Sequence, residues 1–206
     1  LRGAEEALST VLTATRHLEV VAAVGLPMEF HNKLYNCAAI IQSGHILGIV
    51  PKVYLPNYGE FYEKRQFAPA IQERATVTLC GQENIPFGQH LIFTCQELPS
   101  LKLGFEICED LWAPISPSAE LTALGATVIG NLSASNDLVG KDAYRRQLVT
   151  MQSAKLLCGY VYASAGEGES TSDAVFGAHE LIAENGSLLA ERRFEGGLLT
   201  SEIDVK

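Results

Sequence analysis

The chain has 206 residues, of which 47% are hydrophobic and 19% are charged, and its formal net charge at pH 7 is −9. This size and composition predict one domain with a substantial hydrophobic core, and a second domain is not expected. Because the chain is acidic, lacks a Lys/Arg cluster and has only short apolar runs, we expect it to bind neither nucleic acid nor membranes.

The first half predicts a helix followed by strands that are joined through tight turns. Leu8, Leu12 and Leu18 lie roughly on one face of a helix expected over residues 4–18. Gly25-Leu26-Pro27 ends the first expected strand, and Ser43-Gly44 forms the turn between the next two. The three strands are expected at residues 19–24, 33–41 and 45–50. An irregular polar and aromatic loop follows over residues 51–66.

The second half predicts strands that alternate with helices. A helix over residues 117–124 begins at Pro117 and stops at Gly125, as helix ends prefer. A longer helix is expected over 142–157, and an Asn185-Gly186 turn indicates a hairpin. Strands are expected at residues 76–79, 91–94, 102–107, 126–131, 160–163, 181–183 and 188–190. This order of elements indicates an α/β fold with a mixed sheet.

Cysteine usage indicates a reducing, cytoplasmic compartment. The chain has five cysteines: Cys37, Cys80, Cys95, Cys108 and Cys158. Their number is odd, their spacing is wide and no CxxC pair occurs, so neither disulfides nor a zinc site are expected. The five histidines form no HxxH or HExxH pattern, so no metal site is expected. Four cysteines are expected to be small core residues, with Cys108 as the candidate exception.

Cys108 lies in the stretch GFEICEDLW, at the end of an expected strand. In α/β folds the carboxyl ends of strands border the crevice where sites form. A thiol attacks as the thiolate, and Glu109 and Asp110 would raise the pKa of the thiol if they faced it. A reactive Cys108 therefore requires a cation from elsewhere in the chain and a separate carboxylate as base.

Lys52 is the best candidate for that cation because it also follows an expected strand. Its loop carries aromatic side chains that could wall a pocket, and Glu60 and Glu63 offer carboxylates nearby. From the residues alone, two other interpretations stay open: Cys108 as a packing residue and Lys52 as a solvated one. Likewise, the segment 131–135 predicts either a helix-capping turn or a substrate contact. The long helix carries basic residues that indicate either a solvated helix face or a subunit contact: Arg145, Arg146 and Lys155.

Four segments resemble the carbon–nitrogen hydrolase (nitrilase) superfamily, and within it the glutaminase domains of bacterial glutamine-dependent NAD synthetases. The segments are PKVYLPNYGEFYEKRQF, GFEICEDLW, GATVIGNLSASN and YVYASAGEGESTSDAVFGAHELIAENGSLLAE. The resemblance extends over essentially the whole chain. It implies an αββα sandwich with mixed sheets, truncated at the N-terminus, and a Glu–Lys–Cys triad.

The resemblance also implies a role for each matching residue. Cys108 is the nucleophile that attacks the side-chain amide of L-glutamine, and Lys52 stabilises the thiolate and the tetrahedral intermediate. Glu63 positions the lysine, and the main-chain N–H of Glu109 helps to bind the oxyanion. Three further residues match positions that contact glutamine: Tyr58, Ser135 and Lys141.

The chain departs from the family pattern in one respect. The family's general-base glutamate lies in a Pro-Glu-Leu segment after a first strand, and no such segment occurs among these residues. Glu5 and Glu6 lie on the opening helix and do not replace it. Because the chain begins in a helix, we expect a missing first strand that carries the base. A base must lie within hydrogen-bond reach of the nucleophile, so we expect the 206 residues alone to be inactive or nearly so.

The resemblance places the synthetase half outside this domain, since no pyrophosphate-binding or P-loop motif occurs. No cofactor is expected here, whereas ATP, Mg and deamido-NAD are expected in a synthetase domain of the same polypeptide. That domain would use the ammonia to convert deamido-NAD into NAD, and the family pattern implies a homo-oligomer. Two alternatives stay open: a stand-alone amidase or nitrilase acting on another small amide, and a non-catalytic fragment with this fold.

Overall fold

Two sheets organise the chain, one in each of two units, Leu1–Leu91 and Ile92–Lys206. The computed structural model describes residues 1–170 and 173–205, so Thr171 and Ser172 of the last resembling segment lie outside the described residues. The prediction of a single domain stays a prediction.

The first unit contains one helix and a mixed five-stranded sheet in the order β1-β2-β3-β5-β4. The strands pair antiparallel except β3 and β5, which run parallel. The helix α1 contributes Leu8 and Leu12 to the hydrophobic core, where they join Tyr35, Ile41 and Phe87 of the sheet. The elements are α1 Arg2–Thr15, β1 Val21–Phe30, β2 Lys33–Gln42, β3 His45–Pro51, a 3-10 helix Glu63–Arg65, β4 Ala75–Leu79 and β5 Gln82–Phe87.

Tight turns join the hairpins of this sheet. Ser43 and Gly44 have φ of 50° and 79°, and Cys80 and Gly81 have φ of 51° and 73°. Two consecutive positive φ values are typical of the two-residue turns that match the twist of antiparallel strands. The predicted turn at Ser43-Gly44 is confirmed. Cys80 is a turn residue that is partly buried and packs against the edge of the core, close to its expected place.

Two features of this sheet differ from the prediction. The strand β1 continues through Gly25 and Pro27, where we expected it to end. Because β1 lies at the edge of the sheet, a proline without an N–H is tolerated there. The strand β5 was not predicted, since its polar start and Pro86 lack the alternation typical of a strand.

The second unit contains two helices and a six-stranded sheet in the order β11-β10-β9-β8-β7-β6. The elements are β6 Phe93–Thr94, β7 Lys102–Ile107, a 3-10 helix Cys108–Trp112, α2 Pro117–Ala123, β8 Val128–Ser133, α3 Lys141–Leu156, β9 Gly159–Ser164, β10 Glu180–Glu184 and β11 Ser187–Arg192. The predicted strand at 102–107 and the Asn185-Gly186 hairpin are confirmed. Among residues 1–170 and 173–205, no helix is both long and apolar enough to cross a bilayer.

The three central strands, β7, β8 and β9, run parallel. Their carboxyl ends therefore lie at the same edge of the sheet, where α/β folds form sites. Cys108 follows β7, Ser135 lies two residues beyond β8, and Ser164 ends β9. The fold of the second unit thus brings together the predicted nucleophile and one of the predicted glutamine contacts.

The long helix α3 buries a narrow stripe against this sheet. Arg145, Val149 and Ser153 are buried and recur every four residues, which places them on one face of the helix. Val149 packs in a core with Leu121, Ile129 and Leu181. The buried position of Arg145 contradicts both interpretations from sequence, a solvated face and a subunit contact.

Candidate active site

Cys108 lies at a sharp turn between β7 and the 3-10 helix. Its φ is 50°, a left-handed backbone conformation that costs a non-glycine residue about 1–2 kcal/mol. The thiol is free and only partly buried. A residue held in this conformation outside a hairpin turn requires support from its surroundings.

The acidic neighbours of Cys108 take different places. Asp110 is 1% exposed, and its Oδ2 accepts the main-chain N–H of Ile107 at 2.9 Å. This bond ties the start of the 3-10 helix to the end of β7 and so stabilises the turn. Glu109 is the second residue of the 3-10 helix and is half-buried. The role of its main-chain N–H as an oxyanion donor stays a prediction.

A buried polar chain extends from the Cys108 backbone across the neighbouring strands. The Cys108 N–H donates to Asn131 Oδ1 at 3.2 Å, and Asn131 Nδ2 donates to Tyr160 Oη at 3.1 Å. Tyr160 Oη in turn donates to Glu106 Oε1, and Glu106 Oε2 accepts the N–H of Ser118 at 2.8 Å. Burial raises the pKa of Glu106, and the hydrogen bonds it accepts oppose that shift. Sequence reasoning missed Glu106 and Tyr160, although a glutamate between Phe105 and Ile107 is atypical of a buried strand.

A second polar cluster supports Ser135. Arg145 is 1% exposed and its Nη2 donates to Ser135 Oγ at 3.1 Å and to the Asn136 carbonyl at 3.0 Å. Arg145 Nη1 lies 2.9 Å from His179 Nδ1, and His179 Nε2 lies 2.8 Å from Glu191 Oε1. Because a guanidinium only donates, Nδ1 must accept and Nε2 must carry the proton that reaches Glu191. The cluster therefore requires a neutral His179.

His179 gives the protein a stability that falls with acidification. Burial lowers the pKa of His179, the charges of Arg145 and Arg193 lower it further, and Glu191 opposes them. The unfolded chain therefore takes up this proton more readily, and stability is lost as pH falls below about 6.5, towards the lower pKa of the folded state. We expect His179→Gln to reduce the slope of unfolding free energy against pH between about pH 7.5 and about pH 5.5. Denaturant titrations of both proteins measure this difference, in which groups common to both cancel, and equal slopes would contradict it.

Lys141 and Tyr58 occupy contrasting places. Lys141 is the first residue of α3, its Nζ donates to Asn136 Oδ1, and the ammonium lies 5.4 Å from the centre of the Trp112 ring. Trp112 ends the 3-10 helix that Cys108 begins, so Lys141 belongs to the same cluster of elements as Cys108 and Ser135. Tyr58 lies in the first unit, is 60% exposed and stacks edge-on against Phe61 with ring centres 6.1 Å apart. Contact of either residue with glutamine stays a prediction.

Lys52 forms a buried ion pair in the first unit. It follows β3, and its Nζ donates to both carboxylate oxygens of Glu63 at 2.7 and 2.8 Å. The Lys52 side chain is 1% exposed and that of Glu63 is 25% exposed. The Glu63 main-chain N–H donates to the Pro56 carbonyl at 3.1 Å, which holds the carboxylate in place. The structure thus brings Glu63 to Lys52, as the resemblance implies, while their catalytic roles stay predictions.

The remaining cysteines divide into two kinds. Cys37 and Cys158 are buried, and burial raises the pKa of both thiols, that of Cys158 to about 12. Their expected place in the core is confirmed. Cys80 and Cys95 are partly exposed. Cys80 packs against the core from its turn, whereas the Cys95 thiol donates to Glu97 Oε2 at 3.4 Å, so the core expectation is wrong for Cys95. These two thiols are useful controls for Cys108 chemistry.

Tyr162 is a further residue that sequence reasoning missed. It is 1% exposed, and burial followed by the closeness of Cys108 raises the pKa of its phenol, whereas the Arg145 charge lowers it. The Arg145 guanidinium lies 6.0 Å from the centre of its ring. Tyr162 lies in the strand sequence YVYAS, which predicts only a buried strand, so its position between the Arg145 cluster and Cys108 was not predicted.

Comparisons with known proteins give one consistent result. Residues 2–206 match the family model for carbon–nitrogen hydrolases. A glutamine-dependent NAD(+) synthetase of Mycobacterium tuberculosis is 46% identical over 206 residues, which are 100% of this chain and 30% of that protein. The chain therefore spans 30% of the length of this curated relative.

Two solved structures share the fold. A glutamine-dependent NAD(+) synthetase from Cytophaga hutchinsonii superposes with a TM-score of 0.78 at 30% identity, over 92% of this chain and 30% of that one. A carbon–nitrogen hydrolase from Helicobacter pylori is 18% identical, with a TM-score of 0.76 over 98% of this chain and 68% of its own. The predicted α/β fold with mixed sheets is confirmed.

Proposed function

Because the chain belongs to the carbon–nitrogen hydrolase family, we propose that it hydrolyses the side-chain amide of glutamine and supplies the ammonia for ATP-dependent amidation of deamido-NAD. The observation that carries the proposal is Cys108, a partly exposed thiol at a left-handed turn on the carboxyl edge of three parallel strands. The names of the Mycobacterium tuberculosis and Cytophaga hutchinsonii relatives support glutamine as the nitrogen source.

The proposed reaction proceeds through a thioester. The Cys108 sulfur forms a bond to the amide carbon of glutamine, and the resulting oxyanion is bound by the Glu109 N–H and the Lys52 ammonium. The C–N bond then breaks as the nitrogen takes up a proton, so ammonia leaves. Water adds to the thioester, the S–C bond breaks, and glutamate is released with the thiol regenerated. The carboxylate that accepts the first proton is expected outside these residues.

Lys52 and Glu63 act together in this proposal. The Glu63 carboxylate accepts two hydrogen bonds from the buried Lys52 ammonium and keeps it in one position. A positive charge that is already in place stabilises an oxyanion without having to reorient during the reaction. Tyr58, Ser135 and Lys141 are proposed to bind glutamine. Arg145 donates to Ser135 Oγ, which holds the hydroxyl oxygen in one position just beyond the end of β8.

ATP, Mg and deamido-NAD are proposed to bind elsewhere in the full-length protein. In the part of the chain that the structure describes, no group of three or more His, Cys, Asp or Glu side chains is arranged to hold a metal ion. The amidation step is assigned to a synthetase domain of the same polypeptide. A cytoplasmic location and a homo-oligomeric assembly complete the proposal.

A substrate comparison on the full-length protein tests the proposal. We expect stoichiometric release of glutamate and ammonia from glutamine, and much slower hydrolysis of asparagine and of short aliphatic amides. We also expect NAD to form from deamido-NAD and ATP with either glutamine or ammonia as the nitrogen source. Hydrolysis of small amides without preference for glutamine would support a stand-alone amidase. Absence of any amide hydrolysis would contradict the proposed function.

A further inference from the structure

The main chain of Cys108 is tied to a side chain on the neighbouring strand. Asn131 lies on β8 opposite Glu106 of β7, two residues before Cys108. Its Oδ1 accepts the Cys108 N–H at 3.2 Å and the Ser133 hydroxyl at 2.8 Å. Asn131 is 2% exposed, so solvent does not compete for these bonds.

Within the row of hydrogen bonds that joins Cys108, Asn131, Tyr160 and Glu106, donors can be told from acceptors. A main-chain N–H only donates, so the oxygen of the Asn131 amide must face Cys108 and its nitrogen must face Tyr160. Tyr160 Oη therefore accepts from Asn131 Nδ2 at 3.1 Å and gives its own proton to Glu106 Oε1. Glu106 and Tyr160 are 1% and 0% exposed. A buried network in which each member has a partner is rigid, and it allows the Asn131 amide one orientation.

Cys108 requires such support because its φ of 50° is unfavourable for a residue with a side chain. A small backbone rotation at this residue would move the sulfur and the following N–H groups together. Displacement of a reacting group by about 1 Å is enough to lower a rate by about 100-fold. The bond to Asn131 opposes that rotation at the residue where the sulfur is attached.

We propose that Asn131 is a positioning residue for the Cys108 nucleophile, with Tyr160 and Glu106 fixing the orientation of its amide. Asn131 acts through the main chain of Cys108 and need not touch the substrate. This inference rests on the proposed function, since it takes Cys108 as the nucleophile.

Two variants of the full-length protein test the inference. Asn131→Leu keeps a similar shape and removes the acceptor, whereas Tyr160→Phe keeps the ring and releases the Asn131 amide. We expect kcat for glutamine to fall by about 100-fold in Asn131→Leu and by about tenfold in Tyr160→Phe, with KM changing far less. The rate of Cys108 alkylation by iodoacetamide, followed by peptide mass, should fall in the same order.

Ser153→Ala is the matched control. It removes two hydrogen bonds of the same unit, from Ser153 Oγ to the Cys158 carbonyl at 2.7 Å and from the Gly186 N–H to Ser153 Oγ at 3.4 Å, and neither bond is made by Cys108, Asn131, Tyr160 or Glu106. It should lower the melting temperature without slowing Cys108 alkylation or kcat. If Asn131→Leu does not fold, the values of kcat and of the Cys108 alkylation rate in Tyr160→Phe test the inference instead.

The outcomes separate the inference from the function on which it rests. A folded Asn131→Leu protein with wild-type alkylation and turnover would overturn the positioning role. Equal losses in Ser153→Ala would show a general effect of instability and would also overturn it. If Cys108→Ala retains full glutaminase activity, Cys108 is not the nucleophile and the inference fails with that assignment. If the wild-type protein hydrolyses no amide, the proposed function itself fails.

Discussion

Replacing Cys108 by alanine is expected to abolish glutamine-driven NAD synthesis in the full-length protein while sparing ammonia-driven synthesis. Without the sulfur no thioester forms, so glutamine hydrolysis should fall by about 10⁴-fold or more. Ammonia added directly replaces the missing product. Parallel assays with the two nitrogen sources, each monitored by NAD formation, measure the effect.

Cys80→Ala and Cys95→Ala are the controls for this change. Both thiols are partly exposed, like Cys108, but neither follows a parallel strand of the second unit. Both variants should keep wild-type activity with glutamine. Loss of the two activities together in Cys108→Ala would mean that hydrolysis and amidation are not separable as proposed.

Changes to the Lys52–Glu63 pair are expected to separate catalysis from stability. Lys52→Met keeps the apolar stem and removes the ammonium, so glutamine hydrolysis should fall by about 10³-fold. The stability should change little, because Glu63 is 25% exposed and can turn to water. Glu63→Gln leaves a buried ammonium without its carboxylate and should destabilise the protein by about 3 kcal/mol. Urea unfolding and glutaminase rates of both variants measure the two effects.

Lys64→Met provides the comparison, since Lys64 is an exposed lysine beside Glu63 on the 3-10 helix. It should leave both the unfolding free energy and the glutaminase rate unchanged. If Lys52→Met turns over glutamine at the wild-type rate, the proposed role of Lys52 is wrong. If Glu63→Gln is as stable as the wild type, the pair does not hold the ammonium as described.

Much of the fold could be predicted because local patterns coincide with the final elements. The proline and glycine around α2 and the Asn185-Gly186 turn carry their own signals, and β7 was predicted to the residue. Edge position is a tertiary property, so the sequence around Pro27 could not show that β1 continues through it. The strand β5 was missed for a related reason, since its register depends on β4 and β3 rather than on its own alternation.

The candidate site was predicted unevenly for a physical reason. Residues at strand ends, such as Cys108 and Lys52, stand out beside apolar runs, and the resemblance then implied their roles. Glu106, Tyr160 and Arg145 could not be identified as partners from sequence, because their bonds join elements far apart in the chain. A sequence does not show that a charged side chain is buried, because the hydrogen-bond partners that allow its burial come from other elements. The catalytic and binding roles of the predicted residues stay predictions.

The Arg145 cluster ties together four positions that are widely separated in the chain: Ser135, Arg145, His179 and Glu191. Ser135, Arg145 and His179 are buried and each is hydrogen-bonded to the next, so a single replacement leaves a buried donor or acceptor without its partner. We therefore expect substitutions at these four positions to be coupled in evolution, so that relatives that lack one of the four residues also differ at another.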